Sequence, residues 1–278
     1  MPAESVTDLQ TVADYWNRHP VHSVEFAPLG DPKRYYDFID QLRWSDNEKW
    51  ARERFYEFHA QPGARLLDAG CGIGVLSRFY ARKGLDVHAI DISGTAVERT
   101  RESFEAYGLK GRVHLGSVES IPYDDNYFDY IVSNGVIHHT PDTEKAVREF
   151  YRVLKPGGLA SVCVYYRNIL LRQPLWSLVR VLLPVMLKKK EGRESLLVTS
   201  TPEEFVRVYD GNDTPIAKVY SRKQADALFS AFELLAVEPH YFPIRFLRFF
   251  KSGGALHRTL DRSCGVLLYY LLKKPLAS

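Results

Sequence analysis

The segment Arg65 to Gly74, RLLDAGCGIG, constrains this chain more than any other. Leu66 and Leu67 form a short apolar run that leads into Asp68, and three glycines follow at alternate positions, Gly70, Gly72 and Gly74. An apolar-periodic stretch comes next, with Val75, Leu76, Phe79 and Tyr80. The pattern predicts strand, glycine turn and helix. Glycine admits backbone conformations closed to residues with a Cβ, and it leaves no side chain between the main chain and a ligand lying across the turn. The N-terminus of the following helix offers free N–H groups to a negative ligand group. The spacing departs from the dinucleotide fingerprint Gly-x-Gly-x-x-Gly, because the third position is Val75 and the glycine falls one residue early. No Gly-Lys-Ser/Thr follows, which excludes a pyrophosphate-binding Walker loop. Taken alone, an ordinary turn with spare glycines remains open.

From residue 65 to 166 strand and helix patterns alternate with short connections, which argues for a parallel sheet. Gly84 closes the first helix. Asp86 to Ile92 is a second strand carrying Asp91 near its end, about one βα unit past the glycine loop, the interval at which a carboxylate meets ribose hydroxyls. Ser93 caps a helix that runs to Tyr107 and stops at Gly108. Arg112 to Leu115 is a third strand, followed by Gly116, Ser117, Val118 and Glu119. Phe128 to Ser133 is a buried strand ending near Asn134. Pro141 and Asp142 open another helix, which ends at Leu-Lys-Pro-Gly-Gly, Leu154 to Gly158, before a fifth strand over Leu159 to Tyr166.

Asp-x-Gly-x-Gly-x-Gly resembles motif I of the class I S-adenosylmethionine-dependent methyltransferases. The resemblance becomes specific through the ordered set that follows: Asp91 at a strand end, Gly-x-x-Glu-x-x-Pro over Gly116 to Pro122, Asp129 at the fourth strand, and the Leu-Lys-Pro-Gly-Gly turn. It covers roughly Arg65 to Tyr166, in the branch that includes quinone and small-molecule methyltransferases. It implies S-adenosylmethionine as cofactor, S-adenosylhomocysteine as product, and no metal. It also implies roles. Asp68 acts near the cofactor's amino group, Gly70 and Gly72 carry its methionine end, Asp91 holds the ribose, and Ile92 packs on the adenine face. Ser117, Val118 and Glu119 line the adenine edge, and Asn134 lies below the sulfonium. Ser117 stands where the family often has an aspartate, so adenine recognition is left to Glu119 or to the backbone at Val118. Two bland readings compete, with Asp68 satisfying turn N–H groups and Asp91 capping the next helix.

For chemistry, methyl transfer to oxygen, nitrogen or acidic carbon calls for proton removal. His138 and His139 follow the fourth strand and are the candidate bases. Their alternative is structural, one packing or capping a helix and the other exposed.

Ahead of the loop, residues 1–60 carry many aromatics, including Tyr35, Tyr36, Phe38, Trp44, Trp50, Phe55, Tyr56 and Phe58. Thr7 with Gln10 forms a candidate capping box for a short helix through Tyr15 and Trp16. Pro20, Pro28, Gly30 and Pro32 break regular structure, and helix resumes from Tyr35 to His59. A flap over the site, with Tyr15 and Trp16 touching substrate, and simple packing at the domain edge are both open. His19, His22 and Glu25 have metal-like spacing, but Pro20 disrupts a shared face, so no metal is expected.

The second half departs from a minimal fold. Ile169 to Lys190, ILLRQPLWSLVRVLLPVMLKKK, is apolar and basic, has no acid, and is interrupted by Pro174 and Pro184. It reads as a lid over an apolar acceptor, a packed helix, or an amphipathic contact with an anionic membrane. Thr201 to Tyr220 suggests a hairpin or strap turning at Asp210, Gly211 and Asn212. Ser221 with Gln224 makes a capping box. Glu233 to Tyr241 is a sixth strand, and Gly265 to Leu272 a last strand antiparallel to the fifth if the family layout holds. Between them Arg245, Phe246, Arg248, Phe249, Phe250 and Lys251 interleave cations and rings, for which RNA, a partner helix and a membrane surface are comparable readings.

The expected architecture is therefore a Rossmann-like, doubly wound α/β domain. It has a mostly parallel seven-stranded sheet with an antiparallel last strand, an N-terminal helical flap over 1–60, and a methyltransferase domain over 61–278 with an insertion near 167–220. Composition sets the outer limits. A chain of 278 residues with 45% hydrophobic and 26% charged residues is globular, and a net charge of +3 argues against nucleic acid as main partner. Three separated cysteines suit a reducing compartment. The opening residues show no signal peptide and no apolar run reaches a membrane span, so a cytoplasmic protein is expected, with peripheral membrane contact open. The function expected is methyl transfer to a small, partly apolar acceptor. A membrane-associated lipid or quinone methyltransferase and a non-catalytic cofactor-binding regulator are the alternatives. Oligomeric state is left open.

Overall fold

A computed structural model describes residues 8–20, 31–45, 49–57, 61–186, 199–210, 214–242 and 254–276. The chain opens with helices α1 (Leu9–Arg18), α2 (Pro32–Ser45) and the short α3 (Lys49–Ala51), which runs into a π-helical turn, Arg52–Tyr56. Then come β1 (Arg65–Ala69), α4 (Val75–Arg82), β2 (Asp86–Asp91), α5 (Gly94–Tyr107), β3 (Arg112–Leu115), β4 (Phe128–Ser133), α6 (Thr143–Val153) and β5 (Leu154–Tyr166). The second half adds α7 (Leu175–Met186), α8 (Pro202–Asp210), β6 (Val219–Tyr220), α9 (Arg222–Leu228), β7 (Glu233–His240), α10 (Ala255–Cys264) and β8 (Leu267–Lys273).

The sheet order is β3-β2-β1-β4-β5-β8-β7. Strands β1 to β5 are parallel, and β8 runs antiparallel between β5 and β7, as expected. Both faces are buried. Leu66, Val132 and Cys163 sit in one core layer and Leu67, Ile131 and Val162 in the other, which follows from the two-residue period of a strand. Strand order reverses between β1 and β4, and in open α/β sheets the crevice beyond the carboxyl ends at such a reversal takes the ligand.

Local signals account for several boundaries. The Ser93 hydroxyl accepts from Ala96 N and caps α5, Gly108 closes that helix with left-handed backbone, and the Ser221–Gln224 capping box opens α9. Four expectations need correction. Among the described residues the sheet has eight strands, not seven, because Val219 and Tyr220 pair with Tyr165 and Tyr166 at the end of β5. The first half of the segment read as a hairpin or strap is helix α8, and only 214–220 runs as a strap. Thr201 Oγ1 accepts from Glu204 N, Pro202 takes the first helical position, and Glu203 and Glu204 favour the first turn; together they outweigh the β-prone Val206 and Val208. β5 begins at Leu154 and absorbs the Lys-Pro-Gly-Gly turn, since Gly157 N bonds to Lys274 O and Lys274 N to Gly158 O. The cap of α1 is Asp8, whose carboxylate accepts from Thr11 N at 2.8 Å. Thr7, Pro28, Gly30, Phe58, the pair His22 and Glu25, and the basic aromatic run Arg245 to Lys251 lie outside the described residues. So do the turn residues Gly211 and Asn212 and the three lysines Lys188 to Lys190.

Candidate functional site

The glycine turn after β1 is fixed by the main chain: Gly70 N and Cys71 N both donate to Ile90 O, at 2.8 and 3.0 Å. Gly70 has φ +84°, and a Cβ there would lie 2.3 Å from a methyl of Val136. Gly72, at φ +54°, is different: a Cβ would meet only open space. The same holds at Gly116 and Gly135, and all three glycines face one cleft beyond β1, β2, β3 and β4.

Two acids stand at this cleft. Asp91, at the end of β2, accepts from Gly72 N at 2.8 Å through Oδ2 and from Ser93 N at 2.9 Å through Oδ1. Burial raises its pKa, while those two N–H groups act in the opposite direction. Each oxygen keeps a further lone pair, so the carboxylate can accept two more hydrogen bonds. Asp68 is buried and accepts from Ser77 Oγ at 2.5 Å. Burial pushes its pKa up to about 6 against the Ser77 hydroxyl and the charge of Arg43. Burial beside these acids also raises the Cys71 thiol.

Of the residues expected at a cofactor site, Asp68, Gly70, Gly72, Asp91, Ile92, Ser117, Val118 and Asn134 line the cleft. Glu119 does not. Its Oε1 accepts from Asp142 N at 2.9 Å, at the start of α6, so it is spent on a helix N-terminus. Asn134 donates its amide to Tyr56 OH and, at 3.5 Å, to Tyr269 OH, which ties the end of β4 to the aromatic N-terminal segment and to β8.

The two histidines part company. His138 is fully buried, with its ring 4.2 Å from the Tyr165 ring, and does not reach the cleft wall. His139 lines the cleft. Its Nδ1 lies 2.6 Å from Ile216 O, and a carbonyl can only accept, so Nδ1 carries the proton and Nε2 is the lone-pair nitrogen of the neutral ring. Ile216 belongs to a strap, residues 214–220, that also binds through Lys218: its N donates to His138 O, and its Nζ to Pro141 O and Thr143 Oγ1. Burial lowers the Lys218 pKa.

Helix α1 covers the opening. Leu9, Val12, Trp16 and Pro20 line the cleft, and the Trp16 ring meets His139 edge-on at 5.3 Å. Tyr15 turns away, accepting from Thr214 Oγ1 at 3.4 Å. Asn17 Oδ1 accepts from Ser93 Oγ at 3.0 Å and from Thr95 N at 3.3 Å, next to Asp91. Arg43 and Thr140 complete the wall. Arg43 carries no local sequence signal; only the packing of α2 brings it to Asp68. Among the described residues no cluster of histidines, cysteines and carboxylates could hold a metal.

An open α/β sheet with a glycine-lined crevice at its reversal point, closed by an acid at the end of β2, defines a nucleoside-binding enzyme class. A methyltransferase-domain family profile matches residues 67–162. The ubiquinone/menaquinone biosynthesis C-methyltransferase UbiE of Vibrio cholerae is 35% identical over 179 residues, 60% of this chain and 68% of that protein. Phosphoethanolamine N-methyltransferase 2 of Caenorhabditis elegans is 37% identical over 136 residues, 46% of this chain but 29% of its own length. In fold, an S-adenosylmethionine-dependent methyltransferase of Methanosarcina mazei superposes with TM-score 0.54 at 19% identity, covering 78% of this chain and 95% of that one. The chain belongs to the class I S-adenosylmethionine-dependent methyltransferases.

Proposed function

We propose that the cleft binds S-adenosylmethionine through the residues named above and delivers its methyl group to a small, partly apolar acceptor held under α1. The single observation that carries this reading is Asp91, whose two oxygens are steadied by Gly72 N and Ser93 N beside three glycines whose missing side chains leave open space. Asp91 would hold the ribose diol, with Ile92 against the adenine face and Ser117 and Val118 at its edge. Asp68 and Arg43 would take the ammonium and carboxylate of the amino-acid end. Asn134 and the main chain at Gly70 and Gly72 would fix the methionine arm.

When bound, the sulfonium makes its methyl carbon electrophilic, so transfer is an in-line displacement. The chain's part is to align the acceptor at attack distance, exclude water and receive a proton. Leu9, Val12 and Trp16 give the acceptor an apolar wall. His139, with Nδ1 committed to Ile216 O, presents Nε2 as base. Residues 1–60 serve as the flap, and residues 61–278 as the methyltransferase domain with an insertion near 167–220. An acceptor of quinone type has the further support of a relative named for ubiquinone and menaquinone biosynthesis.

Calorimetry with S-adenosylhomocysteine tests the cofactor assignment. Asp91→Ala removes hydrogen bonds to a charged group and is expected to weaken binding by about 2 kcal/mol. Unchanged affinity rejects it. Turnover of labelled methyl groups across phenols, quinols and amines then identifies the acceptor class.

A further inference from the structure

Two separate parts of the chain supply side chains to the amino-acid end of the cleft. Asp68 lies near the end of β1 and Asn134 just after β4, while Arg43 comes from α2. One buried phenol joins the two parts. Tyr56 is 1% exposed and stands behind the cleft wall without lining it. Its hydroxyl oxygen accepts from Arg43 Nη2 at 3.4 Å and from the Asn134 amide. The residue itself is fixed from other sides. Its carbonyl accepts from Tyr80 OH at 2.7 Å, on the helix that follows the glycine turn, and its ring meets Trp44 edge-on at 5.6 Å. Helix α2 is pinned to the same turn: Arg78, fully buried, donates to Ile73 O at 2.7 Å and to Asp40 Oδ1 at 2.5 Å. Asp40 and Arg43 are three residues apart and lie on one side of the helix. The pin at Asp40 therefore sets where α2 sits, and the phenol sets where the guanidinium aims.

We propose that Tyr56 is a positioning residue that presents Arg43 and Asn134 to the amino-acid end of the cofactor, and through them makes the chain select S-adenosylmethionine over a thioether nucleoside lacking that end. The proposal rests on the reading of the cleft as the S-adenosylmethionine site and adds to it a residue behind the wall. A long arginine side chain loses rotamer freedom when it binds, and an acceptor that already holds one of its nitrogens lowers that cost. The guanidinium has five N–H donors in a rigid fork, so the bond to Tyr56 orients the fork without exhausting it. As a core ring alone, Tyr56 would matter equally to every ligand of the cleft.

The test is calorimetry of the full chain with S-adenosylhomocysteine and, by competition, with 5′-methylthioadenosine, which keeps the nucleoside and the sulfur. Tyr56→Phe keeps the ring and removes the hydroxyl. It is expected to weaken S-adenosylhomocysteine about tenfold and to leave methylthioadenosine within about twofold of the parent. In an Arg43→Gln background the same change is expected to cost S-adenosylhomocysteine affinity about threefold or less, because residues acting through one contact do not add. Unchanged S-adenosylhomocysteine affinity in Tyr56→Phe overturns the proposal. Equal weakening of both ligands, or loss of the fold, makes Tyr56 a packing residue and overturns it too. So does an undiminished cost in the Arg43→Gln background, which would separate Tyr56 from Arg43. A parent that fails to bind S-adenosylhomocysteine rejects the cofactor reading itself, a result distinct from these three.

Discussion

The floor and the roof of the cleft are built on different principles. The floor, formed by the ends of β1 to β4, is held mainly by main-chain hydrogen bonds, Gly70 and Cys71 to Ile90 and Gly116 to the Asp91 carbonyl, with one side chain, the Asp91 carboxylate, accepting from Gly72 N. The roof, formed by α1 and the strap 214–220, is held by side chains reaching far along the sequence: Asn17 to Ser93 and Thr95, Tyr15 to Thr214, His139 to Ile216. Main-chain bonds survive most side-chain changes, so a floor of this kind suits a ligand common to a whole family. Side-chain latches can be swapped one at a time, so such a roof suits a ligand that differs between relatives. Damage to the floor should therefore cost fold and cofactor together, while damage to the roof should cost catalysis or affinity alone.

The largest effect is expected on the floor. Gly70→Ala places a Cβ in left-handed backbone and against Val136, two penalties that together reach about 3 kcal/mol. Urea unfolding should show the loss, and cofactor affinity should fall with it. A variant of parental stability would break the distinction between the two layers. Next, His139→Ala should lower kcat by at least about 100-fold while S-adenosylhomocysteine affinity stays close to that of the parent. An undiminished kcat would mean that the acceptor needs no protein base, or that another group supplies it.

The pH dependence sharpens the floor alone. Burial holds the Asp68 pKa at about 6, above its ordinary value, so the folded chain keeps this proton longer than the unfolded one. Stability of the free protein is then lost, not gained, as pH rises from about 4 to about 6. Cofactor binding runs the other way. An ammonium group needs the ionised carboxylate, so affinity should climb up to about tenfold between pH 5 and pH 7. Asp68→Asn should flatten that climb. A parental profile already flat over this range would separate Asp68 from the ammonium.

The same division explains what the sequence disclosed. Asp68, the glycines and Asp91 were legible because their partners lie within one βα unit, backbone N–H groups for Asp91 and the Ser77 hydroxyl for Asp68, and spacing alone sets them. The antiparallel last strand was legible through the family layout. Glu119 was not, because its partner, Asp142 N, lies across a strand and a loop, and nothing local says that a helix start will claim the carboxylate. Nor was Arg43, or the split between His138 and His139, which depends on where the strap crosses. Helix α8 is a different case. Its start signal, Thr-Pro-Glu-Glu, was present at Thr201 to Glu204, but β-prone residues beyond it obscured the reading.

The smallest predicted effect probes the roof where it touches the floor. Asn17 is exposed, yet its side-chain oxygen accepts from Ser93 and Thr95 at the start of α5, two residues from Asp91. Asn17→Ala removes those bonds: the Ser93 oxygen still accepts from Ala96 N and Thr95 N can turn to water, but the buried Ser93 O–H loses its acceptor. Global stability should fall by about 1 kcal/mol. If α1 closes over the bound nucleoside, the missing latch should appear as a severalfold faster release of S-adenosylhomocysteine in stopped flow, with the association rate nearly unchanged. Slower association with unchanged release would instead mean that α1 stays closed in the free protein and that Asn17 helps to hold an open entrance beside it.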